Sequence, residues 1–281
     1  MQAEDYQFFQ THGYVSLGKI FTDDEVQYFL DAFDRDRANY PSYWYKFGHH
    51  QTINCDSLAS APEFDQLIRH PEVMAPLQTL MGGPVCFSEI CIRHMAPYDG
   101  QPNQGWHRDR PHWFDHPLRM DYIQLMVYLA DVDQMTHCFS ISPEGIDQEV
   151  LGIEEQLDRA NGLDLHGPAG TAMLFNVAVL HTATTRITQR ERKTVQVYYG
   201  HRDRPFLSND SIMPPALCLD HPDPEVRAFY GVLNDKTRTY LERIKVENTD
   251  MRQELSVEEM GKILYQINGI NSDDISSDNV A

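Results

Sequence analysis

The sequence predicts a mainly β protein with flanking helices, a single domain built on an antiparallel sandwich or barrel. Three observations carry that expectation. Short runs rich in β-branched and aromatic residues occupy the middle of the chain, at Val85 to Met95, Tyr122 to Leu129, Thr171 to Phe175 and Thr194 to Gly200, and Pro, Gly and Asp bound them as they bound strands. Loops rather than regular helices separate these runs, which favours antiparallel pairing over a parallel α/β sheet. Helical periodicity gathers at the two ends of the chain.

The elements follow in order. A helical lead-in covers about 1–84. Within it Thr22-Asp23-Asp24-Glu25 has the form of a capping box, in which the Thr hydroxyl and the Glu carboxylate satisfy free amides of the first turn. Val26, Phe29, Leu30 and Phe33 then recur at helical spacing and predict an amphipathic helix over 23–37. Residues 40–60 show no period and are expected to be loop, with Tyr43, Trp44 and Tyr45 as candidates for a lid. A second helix is expected from Pro62 to Met81, ended by Gly82-Gly83-Pro84. The β core spans about 85–205. C-terminal helices are expected over about 206–270: Asp223 to Arg243 is periodic, and Ser256-Val257-Glu258-Glu259 forms another capping box. The tail from Asn271 is small, polar and acidic, and is expected to fray.

Composition excludes several classes of function. The chain has 281 residues, 41% hydrophobic and 23% charged, which is ordinary globular usage. No apolar run approaches the roughly 18 residues of a membrane helix, and the N-terminus MQAEDYQFFQ lacks the basic start of a signal or transit peptide. A soluble, cytoplasmic protein is expected. Forty-two acidic against 23 basic residues give a net charge of -19, which opposes nucleic-acid phosphates and anionic membranes. A small-molecule partner fits better, because a few local Arg residues outweigh distant charge at short range. The five cysteines lack any CxxC spacing and read as reduced thiols.

The chemistry concentrates at Trp106-His107-Arg108-Asp109-Arg110. In an extended strand His107 and Asp109 point the same way, with Cα atoms about 6.5 Å apart. An imidazole and a carboxylate so placed can bind one metal ion. Two His and one carboxylate on one face of an octahedron form the arrangement of non-haem Fe(II) oxygenases, with three positions left open. The candidate second His is His181, which ends the stretch beginning at Gly170 and follows Asp109 by 72 residues. Arg192 lies 11 residues further on, at the head of the strand Lys193 to Tyr199. A guanidinium there could hold a planar carboxylate through two parallel hydrogen bonds.

These residues resemble the phytanoyl-CoA dioxygenase family of Fe(II)/2-oxoglutarate oxygenases. The resemblance rests on the HxD at His107 and Asp109, the GxxxxF…H block from Gly170 to His181, Arg192 in order behind it, and the opening segment FFQTHGYVSLGKIFTDDEV; it covers about residues 6 to 202. It implies a double-stranded β-helix (a cupin-like jelly roll), Fe(II) bound by His107, Asp109 and His181, 2-oxoglutarate bound to the iron and to Arg192, and dioxygen as co-reactant. Retention of Asp109 disfavours halogenation, which needs that ligand position for a halide. The family's Gly-rich segment is replaced here by Gln134 to Gly145, with Glu144 and Gly145 after Pro143.

The expected reaction is hydroxylation of a small organic molecule with release of succinate and CO2. Alternatives are desaturation, epimerisation or ring formation with the same cofactors, or a cupin-like metal-binding protein or isomerase without 2-oxoglutarate. Arg93 is expected to face the iron side in preference to His94 and is grouped with Arg192 as cofactor-binding. Trp106, His112, Trp113 and Tyr45 are candidate substrate contacts. His49 and His50 are expected at the surface or in a lid, and His137 and His201 as hydrogen-bonded structural groups. Arg108, Arg110, Arg186 and Arg190 are expected to be solvated or in surface ion pairs.

Overall fold

In the computed structural model, which describes residues 1–204, 207–247 and 255–268, the chain opens with α1 (Ala3–His12), β1 (Tyr14–Lys19) and α2 (Asp23–Asn39). A 3-10 turn (Pro41–Tyr43), the hairpin of β2 (Tyr45–Phe47) and β3 (Gln51–Asn54), and helices α3 (Ser57–Ser60), α4 (Phe64–Ile68) and α5 (Pro71–Met81) lead into the long β4 (Val85–Met95). Then come β5 (Asn103–Gln104), β6 (Tyr122–Tyr128), β7 (Cys138–Ile141), α6 (Ile153–Ala160), β8 (Leu163–Leu165), β9 (Thr171–Asn176), β10 (His181–Thr185) and β11 (Arg192–His201). Helices α7 (Pro215–Cys218), α8 (Pro224–Tyr230), α9 (Asp235–Glu247) and α10 (Val257–Asn268) follow.

The strands form a seven-stranded sheet, β1-β9-β6-β11-β4-β3-β2, and a four-stranded sheet, β5-β10-β7-β8. Pairing within both is antiparallel, as in the expected cupin-like jelly roll. Alternation along the large sheet sorts its side chains. Ile90, Ile92, Val195 and Val197 face a core shared with Phe29, Phe33 and Leu77 of the helices. The opposite face of β4 and β11 carries Glu89, Arg93, Arg192, Gln196 and Tyr198, and these line a cavity between the sheets. Residues that alternate apolar and polar in buried strands thus mark a core on one side and a site on the other. Among the described residues no helix is long and apolar enough to cross a membrane.

Three expectations are corrected. The helix expected over 62–81 is two helices, because Pro71 starts α5 and holds His70 in an extended conformation (φ -57°, ψ 132°). The periodic stretch 223–243 is likewise α8 and α9, each with its own cap: Asp223 accepts from Glu225 N at 2.8 Å and Asn234 from Thr237 N at 2.7 Å. Residues 40–60 are ordered into the β2–β3 hairpin and α3 rather than loop, and Tyr43 and Trp44 are core rather than lid. The Trp44 indole N–H donates to buried Asp36 at 2.7 Å. The capping boxes at Thr22 and Ser256 form as expected. The tail from Asn271 lies outside the described residues.

Candidate metal and cosubstrate site

His107 and Asp109 sit in an extended segment that pairs with the start of β10, not in a regular strand. His107 N–H donates to His181 O at 3.0 Å and His181 N–H to His107 O at 2.9 Å, so the two His residues are direct cross-strand partners. Asp109 N–H donates to Val177 O at 3.1 Å, two residues out of the His107–His181 register, and ties the segment down a second time. The imidazole rings lie 4.5 Å apart between centroids.

The donor atoms converge. His107 Nε2 is 3.3 Å from one Asp109 oxygen and His181 Nε2 is 3.3 Å from the other. One atom from each of the three residues lies within 4.8 Å of the other two. Cis ligands held at about 2.1 Å around one ion lie about 3 Å apart, so the set fits a divalent cation with little adjustment. Backbone carbonyls fix both tautomers. His107 Nδ1–H donates to Gly105 O at 2.7 Å and His181 Nδ1–H to Val179 O at 2.8 Å, which leaves both Nε2 lone pairs directed at the shared centre. The Tyr198 hydroxyl donates to Asp109 Oδ2. Burial pushes the Asp109 carboxyl up, but His181, His107 and Tyr198 outweigh it and hold the group well below the usual carboxylate range. A divalent cation at this centre would take the place of the Nε2 protons that face the carboxylate.

Arg192 is 2% exposed and lines the same cavity. Its guanidinium meets only neutral partners: Cys138 O at 3.3 Å, the sulfurs of Met95 and Met126 at 3.4 and 3.8 Å, and the Tyr128 ring at 5.8 Å. Its Nε has no hydrogen-bond partner, and among the described residues it makes no ion pair. A buried cation left this way is strongly unfavourable unless an anion arrives. Arg93 also lines the cavity, with its guanidinium 5.1 Å from the Phe47 ring and its Nε unpartnered. His94 turns away to Glu191 at 2.8 Å.

The cavity measures about 720 Å³, within the range of small-molecule sites. Trp106 lines it, its indole N–H donating to Gln104 at 3.3 Å. The other three candidate substrate contacts do not. Tyr45 points to Cys55 Sγ at 3.4 Å, in the small cluster with Ile53 and Cys91, and it is Phe47, two residues further along β2, that lines the cavity. His112 is buried beside Glu144 at 3.4 Å. Trp113 stacks on His116, with Arg204 over its face at 3.4 Å. His49 lines the cavity, whereas His50 hydrogen-bonds Ala96 O at 2.8 Å. His137 is a buried, hydrogen-bonded group as expected, with Nε2 on Ala96 O at 2.9 Å; His201 is buried between Trp113 and His116 with its Nε2 unpartnered.

Sequence reasoning missed Tyr198, Glu89, Gln124 and Gln196. Gln124 donates to Gln196 at 3.0 Å across β6 and β11, and burial followed by the nearby Asp210 pushes the Glu89 carboxyl up to about 8. The usable signal was polar residues at period two inside strands otherwise buried on both faces. Arg108, Arg110 and Arg186 are half-buried partners of Glu144, Asp121 and Asp164 rather than solvated charges; Arg190 pairs with Asp133 at the surface as expected.

The family model for phytanoyl-CoA dioxygenase matches residues 9–194. The chain belongs to the phytanoyl-CoA dioxygenase family. It is therefore an Fe(II)/2-oxoglutarate-dependent oxygenase, with dioxygen as co-reactant, and the reading as a cupin-like protein without 2-oxoglutarate is set aside. Among solved structures this family member is similar to EctD from S. alaskensis (TM-score 0.61, 18% identity, covering 75% of this chain and 80% of that one). It is also similar to SnoK, a non-haem α-ketoglutarate-dependent carbocyclase from nogalamycin biosynthesis (TM-score 0.60, 16% identity, 72% and 85% covered). A third is HygX from Streptomyces hygroscopicus, solved with nickel and 2-oxoglutarate (TM-score 0.59, 18% identity, 79% and 94% covered). These likenesses show the shared fold. A search of the curated proteins found no match.

Proposed function

We propose that this oxygenase hydroxylates a small organic molecule, with His107, Asp109 and His181 holding Fe(II) and Arg192 holding the far carboxylate of 2-oxoglutarate. The observation that carries the reading is the convergence of those three donor sets beside a buried guanidinium that lacks an anion. Bound iron, with 2-oxoglutarate and dioxygen, supplies an oxidant for C–H bonds and releases succinate and CO2.

The chain's residues have separable tasks. Gly105 O and Val179 O hold the His107 and His181 rings in the ligating tautomer. The Tyr198 hydroxyl donates to Asp109 Oδ2 and orients the carboxylate. Arg192 gives the cosubstrate a fixed, charge-assisted anchor, and Arg93 is a second cation toward it. Phe47 and Trp106 give the cavity apolar lining, and the Gln124–Gln196 amide pair offers hydrogen bonds to a polar substrate.

Residues 1–281 are read as one domain, supported by β1 hydrogen-bonding β9 within the large sheet and by α10 packing on α9, α3 and the 3-10 turn. Five unbonded cysteines support a reducing, cytoplasmic setting. The functional test is succinate formation from 2-oxoglutarate under air with Fe(II) and a broad substrate panel. Stimulated turnover with a hydroxylated product is expected. Absence of 2-oxoglutarate turnover across the panel, with tight zinc retention, would overturn the reading.

A further inference from the structure

The segment that carries His107 and Asp109 has little of its own to hold it. Its backbone is tied by the His107–His181 pair and by Asp109 N–H to Val177 O, and it belongs to no extended ladder. Alternation along it turns His107 and Asp109 to the cavity and Arg108 to the other side. There Arg108 meets Glu144, at 2.8 Å between Nη2 and Oε2, with side chains only 16% and 1% exposed. His112, three residues past Asp109, places Nε2 3.4 Å from the other Glu144 oxygen. Burial pushes the Glu144 carboxyl up, but attraction from His112 and Arg108 outweighs it and leaves the group below its ordinary range.

Glu144 is itself fixed from behind. Its N–H donates to His12 O at 3.1 Å, at the end of α1, and Gln156 of α6 donates to Pro143 O at 3.0 Å. Two residues earlier, Ser142 N–H donates to Leu180 O at 2.8 Å, immediately before His181. The stretch 142–144 therefore touches the backbone next to one candidate ligand and the side chain between the other two. This is the stretch where the sequence departs from its family's pattern, and the hydroxylation reading assigns it no task.

We infer that Glu144 is a positioning residue: through Arg108 it sets the rotation of the 107–109 segment, so that His107 and Asp109 meet His181 at one centre. The inference rests on that trio being the metal site. A buried ion pair adds little stability over apolar residues of the same volume, because both charges lose their water. Its specific contribution is direction. With Arg108 drawn onto Glu144, neither neighbour can swing out of the cavity without separating buried opposite charges. Glu144 Oε1 and Arg108 Nε have no hydrogen-bond partner, so the pair is not a saturated network that would hold without the charge.

The test is cobalt(II) titration of purified protein, read by the visible d–d bands, beside thermal melting. Glu144→Gln and Arg108→Gln should each weaken cobalt binding about tenfold and change band intensity, the usual scale for a lost partner behind a metal ligand. Arg108→Lys, which keeps the charge, should recover part of the loss. Arg108→Met/Glu144→Leu removes both charges together and guards against a variant that fails to fold; it should melt near wild type and still bind cobalt weakly. Asp56→Asn breaks the buried Lys236–Asp56 pair (2.7 Å) elsewhere in the fold, and should lower the melting point with cobalt binding unchanged. Cobalt affinity within twofold of wild type in both Gln variants, or an equal loss in Asp56→Asn, would show that Glu144 merely stabilises the fold. Cobalt binding undiminished in His107→Ala would instead overturn the metal-site reading beneath the inference.

Discussion

Replacing Arg192 with Met separates the anchoring role from a structural one, because the two predict opposite signs. Arg192 is 2% exposed and contacts one carbonyl, two thioethers and an aromatic ring, none of them anionic. Removing an uncompensated buried charge should leave the metal-free, ligand-free protein as stable as before or more so. Binding is the reverse case. Losing one partner of a buried, hydrogen-bonded charge pair costs about 2–5 kcal/mol, and at about 1.4 kcal/mol per tenfold the 2-oxoglutarate Kd rises from about thirtyfold to a few thousandfold. With manganese present and 2-oxoglutarate at about 100 times Kd, the wild type gains about 2.7 kcal/mol. At about 2 °C per kcal/mol for a chain of this size, that is a rise of about 5 °C in Tm. At the same 2-oxoglutarate concentration Arg192→Met should shift by less than about 2 °C. Differential scanning fluorimetry with and without 2-oxoglutarate reads both numbers. A full ligand shift in the variant, or a large fall in its ligand-free Tm, would refute the reasoning.

Acid should destabilise the fold through His137. Burial, with repulsion from His50, Arg192 and Arg186, holds its imidazole down at about 4 and outweighs the opposing Nε2–H bond to Ala96 O at 2.9 Å, while Nδ1 accepts the Arg186 N–H at 3.1 Å. The unfolded chain, with a His pKa near 6.5, takes up the proton first, so stability falls as pH drops from about 6.5 towards 4. The loss by pH 5 is about 2 kcal/mol, or about 4 °C in Tm, and His137→Gln should flatten the Tm–pH profile across that window. Gly13→Ala should destabilise by about 2–4 kcal/mol, because φ is +75° and the new Cβ would lie 2.4 Å from Val179 Cγ2; a urea midpoint measures it. His181→Ala should abolish tight cobalt binding with a small change in Tm, since its ring packs beside Phe139 and Phe175, whose contacts remain; equilibrium dialysis checks the metal.

The parts of the fold written in local pattern were legible before the structure. Val85–Met95 reads as a strand because it is rich in β-branched and aromatic residues and bounded by Pro and Gly, and it is one. Residue type, order along the chain and the family resemblance led to the expectation that His107, Asp109 and His181 converge near Arg192, and the fold brings them to one cavity. Breaks inside periodic stretches were missed where one residue overrides the period: Pro71 splits α4 from α5, and Gly231 to Asn234 splits α8 from α9. The β2–β3 hairpin was missed because its strands have three and four residues and take their register from β4, a long-range pairing with no local signature. His112 and Trp113 were drawn to the cavity by their closeness in sequence to Asp109, but the chain turns away there and gives them Glu144 and Arg204 as partners. Tyr198 needs the pairing of β11 to place its hydroxyl on Asp109.

The most direct test of the central claim is a crystal structure grown without oxygen with manganese(II) and 2-oxoglutarate. One ion should appear about 2.0–2.2 Å from His107 Nε2, Asp109 and His181 Nε2, with the keto acid chelating it and its far carboxylate on Arg192. An ion held by a different set of residues, or 2-oxoglutarate lying away from Arg192, would contradict it.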